Sequence, residues 1–390
     1  MSGDRSLWVY PWDLYDLGVA DTAARMDEIG INMFSLATSY HAGRFLQPGN
    51  PRRRVYFPED GTVYYCPSTV LWQGQEITPQ MAKIVDSEGD MLAALIDHRE
   101  KGGPKVSCWT VCLHNTRLGM LHPGHVMRTA HGDAHLYGLC PSSDAVRTYL
   151  TTMIHEISHQ YQPDRIELES PDFMGFSHGF HHEKDGLGLL PEDDFLLGVC
   201  FCPHCMTRAE TAGVPVKDAR LAVVGILDAA MARELPNPQF PDIITKGIDV
   251  FADLPELYAY LQWRITSVTT LIGEIKSVTH SGTNLLLIDV ERSWAGGIDL
   301  PQLVPHLDGI LHCAYFTPPD QIAQLMERTR AVLGPDRLLI AGFQLFHPTV
   351  LDRADLGTRV AQAMQAADGV NFYNLGLVPP ARLDWIRTAV

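Results

Sequence analysis

Eight short apolar segments recur along the chain, and helical stretches separate most of them. This alternation constrains the fold more than any other feature. The segments are residues 7–10, 31–37, 105–113, 165–170, 283–291, 309–316, 337–345 and 369–376. Runs of this length and apolar content, ending in polar residues, read as buried strands. Helical patterns occupy residues 19–29 (stopped by Gly30), 90–101, 147–161, 219–234, 257–280, 322–333 and 356–366. Strands alternating with helices predict a parallel sheet, and eight such units in 390 residues predict a closed (β/α)8 TIM barrel. A doubly wound sheet is the rival, but no Gly-x-Gly-x-x-Gly follows the first segment. The expectation is a single catalytic barrel over residues 1–390, with enlarged loops after strand two (38–80) and strand four (171–256). The first of these is rich in Pro, Gly, Arg and Tyr, with residues 56–57 and 63–65 suggesting a hairpin. A loop that long in a compact domain is usually functional.

The composition, 46% hydrophobic and 19% charged, is that of a folded globular protein. A formal net charge of −16 argues against nucleic acid or an anionic membrane surface as a partner, since both demand a basic face. No apolar run approaches the roughly 20 residues that span a bilayer. The start, Met1 to Arg5, lacks the basic-then-apolar layout of a signal peptide. A cytoplasmic location is therefore the default. In that compartment the eight cysteines read as thiols or metal ligands rather than disulfides.

Active sites of such barrels lie where the strands end. The polar residues at those ends are Trp12 and Asp13, Ser39-Tyr40-His41, His114-Asn115, Glu169 with Asp172, Asp289 and Glu291, Tyr315, Gln344 with His347, and Tyr373-Asn374. Carboxylates facing one another among aromatic rings suit a small carbohydrate: its apolar ring faces stack on Trp and Tyr, and its hydroxyls bond to His, Asn and carboxylates. Two carboxylates also suffice to cleave a glycosidic bond, one ionised at the developing oxocarbenium centre and one protonated at the leaving oxygen. Glu169 and Glu291 are the catalytic candidates. Glu167 and Asp289 lie two residues earlier, deeper in the barrel, and any of the four could instead be a buried structural acid. Trp12, Tyr40, His41, His114, Asn115, Asp172, His181, His182, Asp289, Tyr315, Gln344 and Tyr373 are the expected substrate contacts. His178, His181 and His182 follow strand four closely and suit substrate hydroxyls or a metal. Arg52, Arg53 and Arg54 read as a solvated surface or an intersubunit ion pair.

Cys200, Cys202 and Cys205 pack three thiols into six residues, too close for comfortable mutual disulfides but well suited to tetrahedral zinc. Cys140, beside a proline in a turn, is the natural fourth ligand of a structural site, with His204 as the alternative. No organic cofactor is expected. Cys66, Cys108, Cys112 and Cys313 read as small buried hydrophobes.

The run Leu139-Cys-Pro-Ser-Ser143, the helix carrying Arg147-x-Tyr149, Arg165-Ile-Glu-Leu-Glu169 and Cys200-Phe-Cys-Pro-His-Cys205 together resemble bacterial glycoside-hydrolase-like barrels. These include hypothetical glycosyl hydrolase groups related to the α-amylase type and to the family-42 β-galactosidases. His114-Asn115 and Asn371-Phe-Tyr-Asn374 add to the likeness, which spans residues 105–377. It implies an O-glycosyl hydrolase, and the family-42 pattern implies zinc on Cys140, Cys200, Cys202 and Cys205. Family-42 enzymes, however, carry Asn-Glu on strand four and a nucleophilic Glu on strand seven. Here those places hold Leu168-Glu169 and Gln344, so the family-42 roles do not transfer. The amylase layout has its nucleophile ending strand four and its acid ending strand five. That matches Glu169 and Glu291, although amylases use Asp on strand four. Adjacent strands lie about 4.8 Å apart, compatible with the roughly 5–5.5 Å carboxyl separation of a retaining mechanism. Two rival expectations are a sugar lyase or isomerase using His, carboxylate or metal, and a non-catalytic carbohydrate-binding barrel. The expected partner is a small carbohydrate, with further copies of the chain, as a homo-oligomer, an open option.

Overall fold

The structure, a computed structural model, describes residues 3–178, 180, 182–290 and 292–390. Eight parallel strands close into the expected barrel: β1 (Arg5–Val9), β2 (Met33–Tyr40), β3 (Lys105–Val111), β4 (Arg165–Glu169), β5 (Asn284–Asp289), β6 (Gly309–Cys313), β7 (Leu338–Gln344) and β8 (Gly369–Tyr373). Each pairs with its neighbours in chain order, and β1 closes the ring by pairing with both β2 and β8. Outside lie α1 (Val19–Glu28), α2 (Met91–Glu100), α3 (Asp144–Glu156), α4 (Val216–Ala232), α5 (Pro255–Val278), α6 (Ile322–Leu333) and α7 (Arg353–Ala363).

Both faces of the strands are covered, so their residues are mostly buried and most of them apolar. Leu7, Phe34, Cys108, Ile166, Leu287, Ile310, Leu339 and Val370 face the helices in one large core. Trp8, Ala37, Trp109, Leu286, Leu311 and Ile340 belong to a separate cluster inside the barrel. The helices answer with stripes at three- and four-residue spacing, as in α6, where Ile322, Met326, Thr329 and Leu333 are buried. Side chains of Asp90, Ser143 and Asp352 accept from backbone N–H groups at the starts of α2, α3 and α7. No described helix is long and apolar enough to cross a membrane.

The stretch between β4 and β5 has a core of its own. Phe195, Leu196, Phe201, Val223, Leu227, Phe251, Leu257 and Tyr260 pack together from its helices and the start of α5. The hairpin expected from residues 56–57 and 63–65 is replaced by a different pairing. Phe45–Leu46 runs antiparallel to Val55–Tyr56, while Thr62–Val63 pairs with the end of β2. Asn50 explains the change: its Oδ1 accepts from the N–H groups of Arg52 and Arg53, each at 2.8 Å, and closes the intervening turn. Arg52 and Arg53 themselves pair within the chain, both reaching Asp16.

Candidate active site

A polar layer forms the barrel floor. Glu167 is fully buried and accepts from Trp8 Nε1 (2.7 Å), Ser35 Oγ (3.0 Å) and Ser107 Oγ (2.9 Å). The buried Arg165 guanidinium lies 2.9 Å from Glu167 Oε1, a charge contact rather than an aligned hydrogen bond. Glu167 is thus a structural acid that fixes the Trp8 ring and braces three strands.

Above it opens a cavity of about 440 Å³, with Glu169 and Asp172 in its wall beside Trp8, Tyr40, Trp109, His178, Tyr315 and Tyr373. Strand alternation delivers the rings. Trp109 stands opposite Glu167 in the β3–β4 register, and the register of β2 against β3 slips between Ala37 and Ser39, beyond which Tyr40 lines the cavity. Trp8 and Trp109 stack with centroids 5.1 Å apart, and Tyr373 meets each edge-on at 5.5 and 6.0 Å. The Tyr10 hydroxyl donates to Tyr40 at 3.1 Å and shares a 2.8 Å bond with Tyr373, tying the wall together. Trp109 Nε1 donates to Glu169 Oε2.

Burial raises the Glu169 pKa, opposed by the His41 imidazole and by the Trp109 N–H bond, both of which favour the ionised form. Burial likewise pushes Asp172 up to about 7, against the pull of its own backbone N–H and of Arg264, and with Asp289 adding to the rise. The Asp172 carboxyl rests against Gly296, where a Cβ would come within 1.8 Å of Oδ2. Any larger residue at 296 would displace it. Tyr40, His41, His114 and His178 form a row of rings, with successive centroids 4.3, 4.4 and 4.8 Å apart. Burial first, then the neighbouring imidazoles, holds His114 and His178 below the usual histidine range, so both are neutral at neutral pH.

Of the residues expected from sequence, Tyr40, Glu169, Asp172, Tyr315 and Tyr373 share this cavity, and His41 and His114 border it through the ring row. Others lie elsewhere. Trp12 falls in the first turn of a helix, Pro11–Leu17, where it is fully buried and stacks on Tyr10 at 4.5 Å. Asn115 caps the helix Thr116–Leu121 by accepting from Leu118 N at 2.8 Å. Asp289 sits between the cavity residues Ile288 and Val290, so it faces the opposite side of β5 and pairs with His312 Nδ1 at 2.9 Å. Gln344 is half-buried at the end of β7, and His182 is exposed; neither lines the cavity. Glu291 and His181 lie outside the described residues. Sequence reasoning passed over Trp8, Trp109 and Arg292 as wall residues. The first two precede the strand ends by one or two residues, and their alternation with outward-facing neighbours was the signal for them.

Behind this region Cys140, Cys200, Cys202 and Cys205 are all buried, and their sulfurs lie within 4.8 Å of one another. The Cys140 sulfur is 3.4 Å from those of Cys202 and Cys205. Backbone N–H groups of Arg128 and Ser142 point at the Cys200 and Cys140 sulfurs, both at 3.4 Å. His204 is turned away, bonded to Gly124 O at 3.2 Å.

No protein-family model and no curated protein matches this sequence. Solved structures do resemble it. The catalytic domain of a β-amylase from Paenibacillus polymyxa aligns with a TM-score of 0.60 at 9% identity, covering 99% of this chain and 97% of that one. The α-L-fucosidase isoenzyme 2 of Paenibacillus thiaminolyticus aligns at 0.50 with 13% identity, over 99% of this chain and 48% of its own length, so this chain spans about half of it. The likeness is one of fold: a barrel shared with glycoside hydrolases of very different sequence.

Proposed function

We propose that the chain is a glycoside hydrolase of retaining stereochemistry acting on a small glycoside or oligosaccharide. The observation that carries this reading is one cavity holding two carboxyls, Glu169 and Asp172, among Trp8, Trp109, Tyr40, Tyr315 and Tyr373. Sugar rings stack on such aromatic walls. Glu169, with Trp109 N–H and His41 favouring its anion, is the nucleophile. Asp172, with a pKa near 7, is poised to hold the proton for the leaving oxygen at neutral pH. Glu291 is the sequence's candidate for that second role. The fold shared with β-amylase and α-L-fucosidase supports the reaction class. A panel of aryl glycosides, with the anomer of the first-formed product read by NMR, tests the proposal. Retained configuration supports it; inversion overturns the nucleophilic role. Azide rescue of Asp172→Ala or of Glu291→Ala identifies the acid/base.

The row His41–His114–His178 beside Glu169 favours a second reading, a sugar isomerase or lyase in which neutral imidazoles shuttle protons. Turnover of free sugars with none on aryl glycosides would select it.

The four-cysteine clip fits a structural zinc. Its donors are all sulfur, its sulfurs converge, and backbone N–H groups already support them. A closed site of this kind supplies folding stability and no chemistry.

A further inference from the structure

The stretch between β4 and β5 carries a buried cation that touches two residues of the cavity wall, Phe173 and Ala295. Arg264 of α5 is 2% exposed. Its guanidinium lies over the Phe173 ring, 4.6 Å from the centroid, and one of its nitrogens donates to Ala295 O at 3.3 Å. Phe173 N in turn donates to Gly296 O at 3.1 Å, which joins the loop after β4 to the loop after β5. Asp172 precedes Phe173, and its carboxyl packs on Gly296. One turn earlier on α5, Tyr260 donates its hydroxyl to Cys200 O, so the same helix is tied to the cysteine clip.

We propose that Arg264 is a positioning residue for Asp172, clamping the two loops together so that the carboxyl stays in the cavity wall under a fixed positive charge. This deepens the glycosidase reading and rests on it only for the catalytic meaning of Asp172. The groups facing Asp172 are few. Arg264 and Asp289 act on it with opposite sign. Glu169, His178 and Arg292 line the same cavity. Cys112 lies close enough to feel both Glu169 and Asp172. Arg264 makes no ion pair within contact distance among the described residues, so its effect on Asp172 is through the field and through the loops it holds.

The test uses full-length protein labelled with ¹³C at aspartate carboxyls, with Asp172→Asn assigning the resonance. In Arg264→Gln the Asp172 midpoint should rise by about 0.5–1 unit, below the 1–3 units expected of a directly paired cation. In Arg264→Lys the charge remains but the planar fork is lost. There the Phe173 amide should exchange hydrogen at least about tenfold faster, while the midpoint stays near its original value. An unchanged midpoint in folded Arg264→Gln, or unchanged Phe173 exchange in Arg264→Lys, overturns the proposal; the second arm decides if Arg264→Gln does not fold. A midpoint that moves without moving the kcat/KM profile would uphold the clamp and remove Asp172 from the chemistry. A static midpoint with turnover abolished in Asp172→Asn would do the reverse.

Discussion

Trp109→Phe isolates a single interaction in the cavity. The phenyl ring keeps an aromatic face against Trp8, whose stack with Trp109 has a 5.1 Å centroid spacing, but it deletes the N–H that donates to Glu169. A hydrogen bond to a charged acceptor is worth about 1.5–3 kcal/mol. Glu169 is only half-buried, so water replaces part of what is lost and the low end applies. About 1.5 kcal/mol corresponds to a shift of about one pKa unit. The sign follows from which form is bonded. The N–H stabilises the carboxylate, so its loss raises the Glu169 pKa above its present value, which burial has already elevated. In the proposed nucleophilic role Glu169 must be ionised, so the acid limb of kcat/KM against pH should move upward by about one unit. Activity well below that limb should fall about tenfold. An activated aryl glycoside reports this directly, with Tm confirming that the variant is folded. An acid limb that stays in place in a folded Trp109→Phe protein would refute the reasoning, because either the bond or the ionisation of Glu169 would then be irrelevant to turnover.

Other outcomes follow from the same geometry. Elemental analysis of protein purified without chelator should find about one zinc per chain, and Cys202→Ser should lose it together with a lower Tm. Glu167→Gln should destabilise the fold by about 3–5 kcal/mol in denaturant unfolding, because the buried Arg165 charge loses its nearer counterpart and keeps only Asp4 at 3.9 Å. His178→Ala should raise KM by up to about tenfold with little change in kcat if its neutral imidazole bonds a substrate hydroxyl; unchanged kinetics would make it a wall residue only.

The barrel was legible in the sequence because short, mostly apolar strands are interleaved with helices that bury one side. Eight such strands, most of them separated by helices, leave few folds to choose from. The place of Glu169 in the cavity wall was legible because it ends a strand. Asp289 was misread because position near a strand end does not reveal which face a side chain takes. The alternation of Ile288 and Val290 toward the cavity turns Asp289 outward. Trp12 and Asn115 failed for a related reason: each lies where the chain has already turned into a helix, one packing into its first turn and the other capping it. The row of His41, His114 and His178 joins three separate loops, and no sequence spacing encodes such a meeting. The cysteine clip was the opposite case, since three of its four thiols are local in sequence.

The most direct test of the account is the turnover of Glu169→Gln beside the unaltered protein on the best aryl glycoside from the panel. Glutamine preserves the size of the side chain and can still accept from the Trp109 N–H, but it cannot act as a carboxylate nucleophile. The account predicts a folded protein, with unchanged Tm within a few degrees, whose kcat falls by at least about 10³-fold, the scale on which removal of a covalent catalyst is felt. A Glu169→Gln enzyme that turns over at the original rate would contradict the central claim.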